Sequence, residues 1–391
     1  MSKPTRRKFV VGAAATVAVS QLPMPAIAAL KPIRIGAVQP FSGGLELFGN
    51  QAKLGLDLAM KEINASGGIL GGHKIAIDYE DNKTDPKTSV ERTAKLIRRN
   101  RVLALSGPIT SNARDAMAPT AIRGRTPLLY ATNYEGGACS KYIFAFNTVP
   151  NQELAKLLPA MNAKFGKSYY MFGANYVWPQ KMFETAEKIV GGLGGKVVGK
   201  EFTPWGVKEF APVIRRIKAS GAKVLVFALP GADGITFIKQ AEDLGLLKDL
   251  TVAFLGFAET YLGAFGAGKG QNMWVTVPFV ASSGDAKVKD FVARIKKSAG
   301  KDDIPISHYV MTHYNSVMAL KAALEKAGKP DKEALIKGLE GLTIDTPTGP
   351  LSIGAKDHHV TMNMFLAKTA GTNLETVQAL GSLAPEAGCK T

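Results

Sequence analysis

Residues 105–119 of the chain read LSGPITSNARDAMAP, and this stretch carries an apolar strand end directly into a helix-like segment. Gly107 and Pro108 mark the transition, and a polar Thr-Ser-Asn triplet at 110–112 stands where the helix begins. Side chains of these types satisfy the free N–H groups of a first helical turn, so capping is one interpretation of the triplet. Ligand binding is the other interpretation, and both stay open at this point.

The same strand-to-helix order repeats through most of the chain. Apolar residues within 52–63 recur at the spacing of one helix face, and Asp85 with Pro86 forms an N-cap followed by a first-turn proline. Strands that alternate with helices of roughly 10–15 residues are typical of parallel sheets covered by helices on both faces. The predicted strands lie at 33–38, 74–79, 102–105 and 127–131, and then at 169–172, 196–201, 224–228 and 251–255.

These strands form two runs, and a third stretch after about residue 279 completes the first run. A chain of 391 residues exceeds what one hydrophobic core usually serves. We therefore predict an α/β fold with two doubly wound parallel-sheet lobes joined by a hinge. The predicted N-terminal lobe comprises 29–148 and 279–349, and the predicted C-terminal lobe comprises 149–278 and 350–391.

The N-terminus has the features of an export signal. Arg6 and Arg7 stand just before a mild apolar run rich in Ala and Val, and Ala-Ile-Ala at 26–28 offers the small residues that a signal peptidase reads. A membrane anchor is the alternative, but Pro23 and Pro25 break the run before it is long enough to span a bilayer. We expect residues 1–28 to be a twin-arginine signal peptide, and the mature protein to lie in the periplasm with no direct membrane anchor.

Charge and cysteine content narrow the choice of partners. The formal net charge of +17 falls to +13 when the four basic residues of the signal leave, and the remaining Lys and Arg are spread along the helices. Because they do not cluster with aromatic residues, we expect a solvated basic surface and no nucleic-acid partner. Two cysteines, Cys139 and Cys389, do not make a disulfide framework, and the sequence leaves their pairing open.

No motif in the sequence supplies catalytic chemistry. The stretch GAFGAGKG at 263–270 resembles a phosphate loop, but Gly270 stands where the loop needs Ser or Thr. The five histidines show no metal-ligand spacing, and no nucleophile motif is present. We therefore expect no enzyme activity, no cofactor and no metal.

Residues 33–97 resemble the start of a known family. They contain Ser-Gly-x-x-x-x-x-Gly, a helix end of the form Ala-x-x-x-Ile-Asn-x-x-Gly-Gly, and the Asp-Pro cap. In this order they resemble the solute-binding proteins of branched-chain amino acid and amide ABC importers, whose type I fold has two lobes. Three later stretches, at 130–140, 175–179 and 345–359, are similar to the short-chain amide and urea branch.

The resemblance implies a ligand site between the lobes and a partner permease in the inner membrane. Residues matching Ser111 and Thr132 hydrogen-bond the polar head of the ligand in that family, and aromatic residues enclose the rest of it. The implied ligand-binding residues are Phe48, Ser111, Tyr130, Ala131, Thr132, Tyr176, Trp178 and Glu259.

The implied ligand depends on where carboxylates lie. Amino-acid-binding members hold the ligand ammonium with an acid near the first crossover between lobes, where this chain has Asn151 and Gln152. A buried ammonium without a carboxylate is costly, so a neutral amide or urea-like ligand is expected. Glu259 could supply an acid from the second lobe, which keeps a branched-chain or other small amino acid, or an aromatic acid, as the alternative. A ligand-sensing regulator is the alternative from another class, and the export signal argues against it.

The export signal gives a first test. We expect mature protein to begin near Ala29 and to appear in the periplasm. Replacing Arg6 and Arg7 by Lys should leave the precursor in the cytoplasm, because Lys keeps the charge but removes the arginine pair by which the signal is recognised. Cell fractionation with mass measurement of each fraction checks this, and unchanged export of the double variant would show that the twin-arginine interpretation is wrong.

Overall fold

The computed structural model describes Met1 and residues 30–389. The predicted signal peptide and its cleavage site therefore lie outside the described residues. Within the described part of the chain, no helix has the length and apolar character needed to cross a bilayer.

The first lobe is built on a five-stranded parallel sheet with the strand order β2-β1-β3-β4-β5. Crossover helices follow its first three strands, as the alternating pattern predicts. The elements are β1 (Ile33–Gln39), α1 (Glu46–Ala65), β2 (Ile75–Asp81), α2 (Pro86–Arg98), β3 (Ala104–Ser106), α3 (Ser111–Arg123), β4 (Leu128–Tyr130) and β5 (Ile143–Ala145).

The second lobe contains a parallel run in the order β10-β9-β8-β6-β7. The chain enters it through α4 and then alternates between strands and helices. The elements are α4 (Pro150–Phe165), β6 (Ser168–Ala174), α5 (Val177–Gly192), β7 (Lys196–Thr203), α6 (Ala211–Ala219), β8 (Val224–Ala228), α7 (Gly231–Asp243), β9 (Thr251–Phe254), α8 (Thr260–Phe265) and β10 (Trp274–Val277).

The remaining chain returns to the first lobe and then runs along both. Helices α9 (Ala286–Ala299), α10 (His308–Ala327) and α11 (Lys332–Leu339) bury their apolar faces in the core of the first lobe. Four antiparallel strands complete the second sheet on the side of β10. They are β11 (Thr343–Thr346), β12 (Gly349–Ile353), β13 (Val360–Ala370) and β14 (Asn373–Leu383).

The α/β fold class with two parallel-sheet lobes is confirmed, and the antiparallel strands add to it. Strand β13 contributes to both cores: Met362 and Met364 pack in the first, whereas Leu366 packs among residues of the second sheet. The residue limits of the two lobes stay a prediction.

Local sequence signals explain where the first-lobe helices begin. The carboxylate of Asp85 accepts a hydrogen bond from the Thr88 N–H at 2.6 Å, and Pro86 occupies the first turn of α2, which confirms the predicted cap. Gly107, at the end of β3, has a φ of 102°, and a Cβ there would lie 2.1 Å from the carbonyl oxygen of Val38. Only glycine fits so close to β1, so this residue fixes how the chain leaves β3 for α3.

A disulfide joins Cys139, in the loop after β4, to Cys389 near the end of the chain. The sequence left this pairing open. Beside it, the Gly137 N–H donates to the carbonyl of Ala387 at 2.7 Å. The tail is therefore fixed to the loop that follows β4.

The two lobes touch where the chain leaves the carboxyl ends of their parallel strands. The Ala232 N–H at the start of α7 donates to the Gly44 carbonyl after β1 at 3.0 Å. Leu45 and Phe48 from the first lobe pack in the core cluster of the second lobe. The structure is thus a closed arrangement of the lobes.

Candidate functional site

Helix α3 begins beside the junction of the lobes, and its N-cap residue does not cap it. Thr110 is the N-cap, but its side chain makes no cap hydrogen bond, and its buried hydroxyl has no partner among residues 30–389. The hydroxyl of Ser111 is directed elsewhere, to Glu135. Capping therefore does not explain the triplet at 110–112, and the N-cap side chain leaves the first-turn N–H groups of α3 free for another acceptor.

A pocket lies at this junction, partly open to solvent, and in this closed arrangement it has room for only about 20 Å³. A volume of this size holds about one water molecule, so a ligand has to part the two walls to enter. Its wall consists of chain segments that follow strand ends in both lobes, together with the start of α10. The lining residues are Leu45, Phe48, Ile109, Ser111, Thr132, Asn133, Tyr176, Trp178, Pro230, Gly256 and Tyr309.

The structure brings five of the eight predicted ligand-binding residues to this wall. The five are Phe48, Ser111, Thr132, Tyr176 and Trp178. The other three, Tyr130, Ala131 and Glu259, lie outside the lining. Whether any of the eight contacts a ligand stays a prediction.

Tyr130 and Ala131 are buried behind the pocket wall. The hydroxyl of Tyr130 donates to the Ile109 carbonyl at 3.1 Å, which ties the end of β4 to the loop before α3. The carbonyl of Ala131 accepts from the Thr312 hydroxyl at 2.8 Å and from the Asn147 amide at 3.1 Å. Both residues therefore hold the wall in place.

Four aromatic side chains form the apolar part of the wall. Phe48 packs edge-on against Tyr309 with ring centroids 4.9 Å apart, and Tyr176 lies tilted against Trp178 at 6.2 Å. Such rings exclude water and give a flat, apolar surface on which a ligand can pack.

The polar groups of the wall offer a ligand both acceptors and donors. The hydroxyl of Thr132 donates to the Pro108 carbonyl at 3.3 Å and so keeps only lone pairs for the pocket, whereas the buried indole N–H of Trp178 has no hydrogen-bond partner among the described residues. The hydroxyl of Tyr309 donates to the Asn133 side-chain oxygen at 2.7 Å, which fixes the orientation of that amide. Helix α5 begins here too, and its N-cap residue Tyr176 makes no side-chain cap bond. The positive ends of α3 and α5 thus meet at one small pocket, which favours an anionic group.

No charged side chain is among the lining residues. The residues Asn151 and Gln152, on which the expectation of a neutral ligand rested, have structural roles instead. The Asn151 amide donates to the Ala384 carbonyl at 2.9 Å, and the Gln152 oxygen accepts from the Val149 N–H at 3.0 Å at the start of α4. They therefore say nothing about the charge of a ligand.

The next residue, Glu153, is the acid that sequence reasoning missed. It is buried, and its carboxylate accepts a hydrogen bond from the hydroxyl of Thr148. Burial raises the pKa of Glu153 to about 7, although the hydrogen bond from Thr148 favours the charged form. The carboxyl group thus lies one layer behind the pocket, next to the lining residue Asn133.

Glu259 is buried at the start of α8, and neither of its carboxyl oxygens has a hydrogen-bond partner of good geometry. Burial raises the pKa of Glu259 to about 8, against the smaller opposing effect of the backbone N–H groups of Glu259 and Ala281. At neutral pH the group is therefore mostly protonated. A neutral carboxyl outside the lining is a poor partner for a ligand ammonium.

A buried ion pair adjoins the pocket behind Ser111. The guanidinium of Arg114 donates to Glu135 at 2.8 Å, and their side chains are only 3% and 7% exposed. The guanidinium lies 5.1 Å from the ring centre of Tyr130 and 4.5 Å from that of Tyr134. The pair was not predicted, because two charged residues that lie 21 positions apart in the sequence cannot be told from solvated surface charges.

Six of the lining residues were also not predicted: Leu45, Ile109, Asn133, Pro230, Gly256 and Tyr309. Asn133 directly follows Thr132, and its place just after the end of β4 is a signal that could have found it. Tyr309 comes from α10, which is distant in sequence from the other parts of the wall, and no local signal marks it. The described residues contain no group of three or more His, Cys, Asp or Glu side chains arranged to hold a metal ion.

Comparison with known proteins gives one family. A family model described as periplasmic binding protein matches residues 32–373. Leu/Ile/Val-binding protein homolog 6 of Brucella melitensis is 25% identical over 347 residues, which cover 86% of this chain and 87% of that protein. Leu/Ile/Val-binding protein BraC3 of Rhizobium johnstonii is 28% identical over 331 residues, which cover 82% of this chain and 87% of that protein.

Solved structures show the same fold. The solute-binding protein of an ABC transporter from R. palustris, in complex with benzoate, has a TM-score of 0.83 at 20% identity and covers 92% of this chain and 100% of its own. The leucine-binding protein LivK of Thermotoga maritima has a TM-score of 0.79 at 17% identity and covers 89% of this chain and 99% of its own.

The burial of Glu259 predicts a pH dependence of stability. Its pKa is raised from the ordinary value of 4.5 to about 8 in the folded state, so the folded protein holds this proton more tightly than the unfolded chain. The free energy of unfolding should therefore fall as pH rises from about 4.5 to about 8, by an amount on the order of a few kcal/mol.

Glu259→Gln should make this pH dependence shallower, as measured by denaturant unfolding at several pH values. The exposed Glu209→Gln is the control for removing one carboxylate. Glu153 is unchanged in both variants, so its own contribution cancels. If the curves of wild type and Glu259→Gln run parallel, Glu259 is ionised in the fold and the burial argument is wrong.

Proposed function

The chain belongs to the periplasmic binding protein family, and from that premise we propose that it is the extracytoplasmic receptor of an ABC importer for a small carboxylic acid with an aromatic body. The observation that carries this proposal is the composition of the pocket wall: aromatic rings, the free indole N–H of Trp178 and the N-terminal ends of two helices, with no charged side chain. The receptor would deliver its ligand from the periplasm to a permease in the inner membrane.

The donors and the helix ends support a carboxylate. A carboxylate accepts hydrogen bonds only, so it matches the free indole N–H of Trp178 and the uncapped first turn of α5. Hydrogen bonds to a charged acceptor inside a dry pocket are stronger than those between neutral groups. The helix ends supply the positive potential that no lysine or arginine supplies on this wall.

The aromatic wall supports a flat, uncharged body for the ligand. Phe48 and Tyr309 from the first lobe and Tyr176 and Trp178 from the second line the same pocket, which is nearly closed. An aromatic ring that enters as the lobes part would make stacked or edge-on contacts with these rings, which stabilise it beyond simple burial.

The amide or urea-like ligand expected from the sequence has no support among the relatives, and the aromatic-acid and amino-acid alternatives fit better. The argument for a neutral ligand rested on Asn151 and Gln152, which bind other parts of the chain. A neutral amide would also leave the positive ends of α3 and α5 without an anion.

A branched-chain amino acid is the second candidate, because the relatives at 25% and 28% identity are named for Leu, Ile and Val binding. An amino acid brings an ammonium that needs an anionic partner. The described acids near the pocket are a paired Glu135, Glu153 behind Asn133, and Glu259 with its pKa raised to about 8. This makes the amino acid less favoured than an acid without an ammonium.

The ligand class is tested by calorimetry with benzoate, its hydroxy derivatives, leucine and valine. Trp178→Phe keeps an aromatic ring but removes the N–H, and should weaken carboxylate binding by about 1–3 kcal/mol. Trp274→Phe is the matched control, because Trp274 is also buried with an unpaired indole N–H but lies outside the pocket.

We expect Trp274→Phe to bind as the wild type does. Equal loss in both variants would mean that the Trp178 N–H does not contact the ligand. If leucine or valine binds and the aromatic acids do not, the ligand is a branched-chain amino acid. The protein would still be the receptor of an ABC importer.

Closure of the lobes gives a further prediction. Gly231, with a φ of 72°, lies so close to the first lobe that a Cβ would be 2.3 Å from the Gly44 carbonyl oxygen. Gly231→Ala should therefore hold the lobes apart, weaken ligand binding by tenfold or more, and increase the radius of gyration in X-ray scattering with saturating ligand.

Gly221→Ala is the control for backbone strain, since Gly221 has a φ of 69° and open space where the Cβ would stand. Both substitutions place Ala in a left-handed conformation, which costs about 1–2 kcal/mol. Only Gly231→Ala should impair binding. If the radius of gyration and the affinity of Gly231→Ala match those of Gly221→Ala, the contact at Gly44 does not govern closure.

A further inference from the structure

Ser111 belongs to a closed ring of hydrogen bonds with the buried ion pair behind it. Its hydroxyl donates to Glu135 Oε2 at 2.7 Å, while Glu135 Oε1 accepts from Arg114 Nη2 at 2.8 Å. Arg114 Nη1 closes the ring at 3.4 Å from Ser111 Oγ. Ser111 is 2% exposed and lines the pocket, so the ring reaches the ligand site through this one hydroxyl.

The proton of Ser111 has no freedom to turn toward the pocket. A serine hydroxyl carries one proton and two lone pairs, and an ionised carboxylate can only accept. The charge of Glu135 is held in place by Arg114, whose guanidinium is in turn held between the rings of Tyr130 and Tyr134. The proton therefore stays on the bond to Glu135, and Ser111 presents a lone pair to the pocket.

We propose that Glu135 makes Ser111 a hydrogen-bond acceptor toward the ligand, and that the site thereby selects acids with an N–H or O–H donor facing Ser111. This inference rests on the proposed function and makes the ligand more specific: a hydroxy-substituted or amino-substituted acid is preferred over the same acid without that group. Glu135 is thus a specificity-determining residue that does not itself line the pocket.

The preference follows from what each ligand leaves unpaired. A donor at this position pairs with the free lone pair of Ser111. A ligand with an acceptor at this position would place two buried acceptors against each other. A ligand with only a C–H group at this position would leave the lone pair of Ser111 buried without a partner. Sites that are built around such a buried polar group discriminate strongly against the ligand that lacks the matching group.

The test compares ligand pairs that differ only in the donor: benzoate with its three monohydroxy derivatives, and isocaproate with leucine. For each pair that binds, calorimetry gives the ratio of the two dissociation constants. The wild type should prefer the best donor-bearing member by tenfold or more. Glu135→Gln should lower this ratio at least fivefold, because a glutamine can donate to Ser111 and release its proton toward the ligand.

Two further variants separate this role from general electrostatics and from a folding defect. Asp115→Asn removes another carboxylate that accepts from Arg114, at 2.8 Å, but Asp115 is 55% exposed and does not contact Ser111, so the ratio should stay at the wild-type value. Ser111→Ala leaves the ion pair in place and should abolish the preference, which keeps the test valid if Glu135→Gln does not fold.

An unchanged ratio in folded Glu135→Gln or in Ser111→Ala, or an equal change in Asp115→Asn, would overturn this inference while leaving the proposed function standing. Absence of binding by every acid in the panel would overturn both. The inference is supported if the ratio falls in Glu135→Gln and Ser111→Ala but not in Asp115→Asn.

Discussion

A parallel sheet brings every strand to the same edge before the chain crosses over, and the pocket exists because two such edges face each other. Strands β3 and β4 lead to Ser111 and Thr132 in one lobe, and β6 leads to Tyr176 and Trp178 in the other. Because crossover helices begin at this edge, their positive ends lie there too. The same constraint therefore supplies the side chains of the site and its electrostatic sign.

The acidic side chains around the pocket do little to reduce the positive electrostatic potential that the helix ends produce there. Glu135 forms a buried ion pair with Arg114, so its charge is neutralised within the wall. Glu153 and Glu259 have no cationic partner within the part of the chain that the structure describes, and burial raises the pKa of each, to about 7 and about 8. Unpaired negative charge close to the pocket is thus limited, since removing a carboxylate from water without a counter-charge favours its protonated form. The helix ends then dominate the potential that a ligand meets.

Sequence reasoning recovered the parts of the molecule that local signals determine. The alternating strands, the cap at Asp85 and the polar triplet after β3 follow from residue type and spacing alone, whereas Thr132 after β4 came from the resemblance to a known family. The antiparallel hairpin of Val360–Ala370 and Asn373–Leu383 did not, because its place in the sheet depends on pairing with a strand about ninety residues earlier. Tyr309 was missed for the same reason, since only the packing of α10 brings it to the pocket.

The division of chemistry between the lobes explains why closure and binding belong together. Ser111, Thr132 and Asn133 come from the first lobe, whereas the second lobe contributes Trp178 and the aromatic face of Tyr176. A ligand gains both sets of contacts only when the lobes meet, and it shifts the equilibrium only by this difference in affinity. The closed form already has contacts of its own, in the hydrogen bond from Ala232 to Gly44 and the packing of Leu45 and Phe48. The ligand therefore has to supply only the part of the closing free energy that these contacts do not, which allows a small acid with few polar atoms to close the lobes.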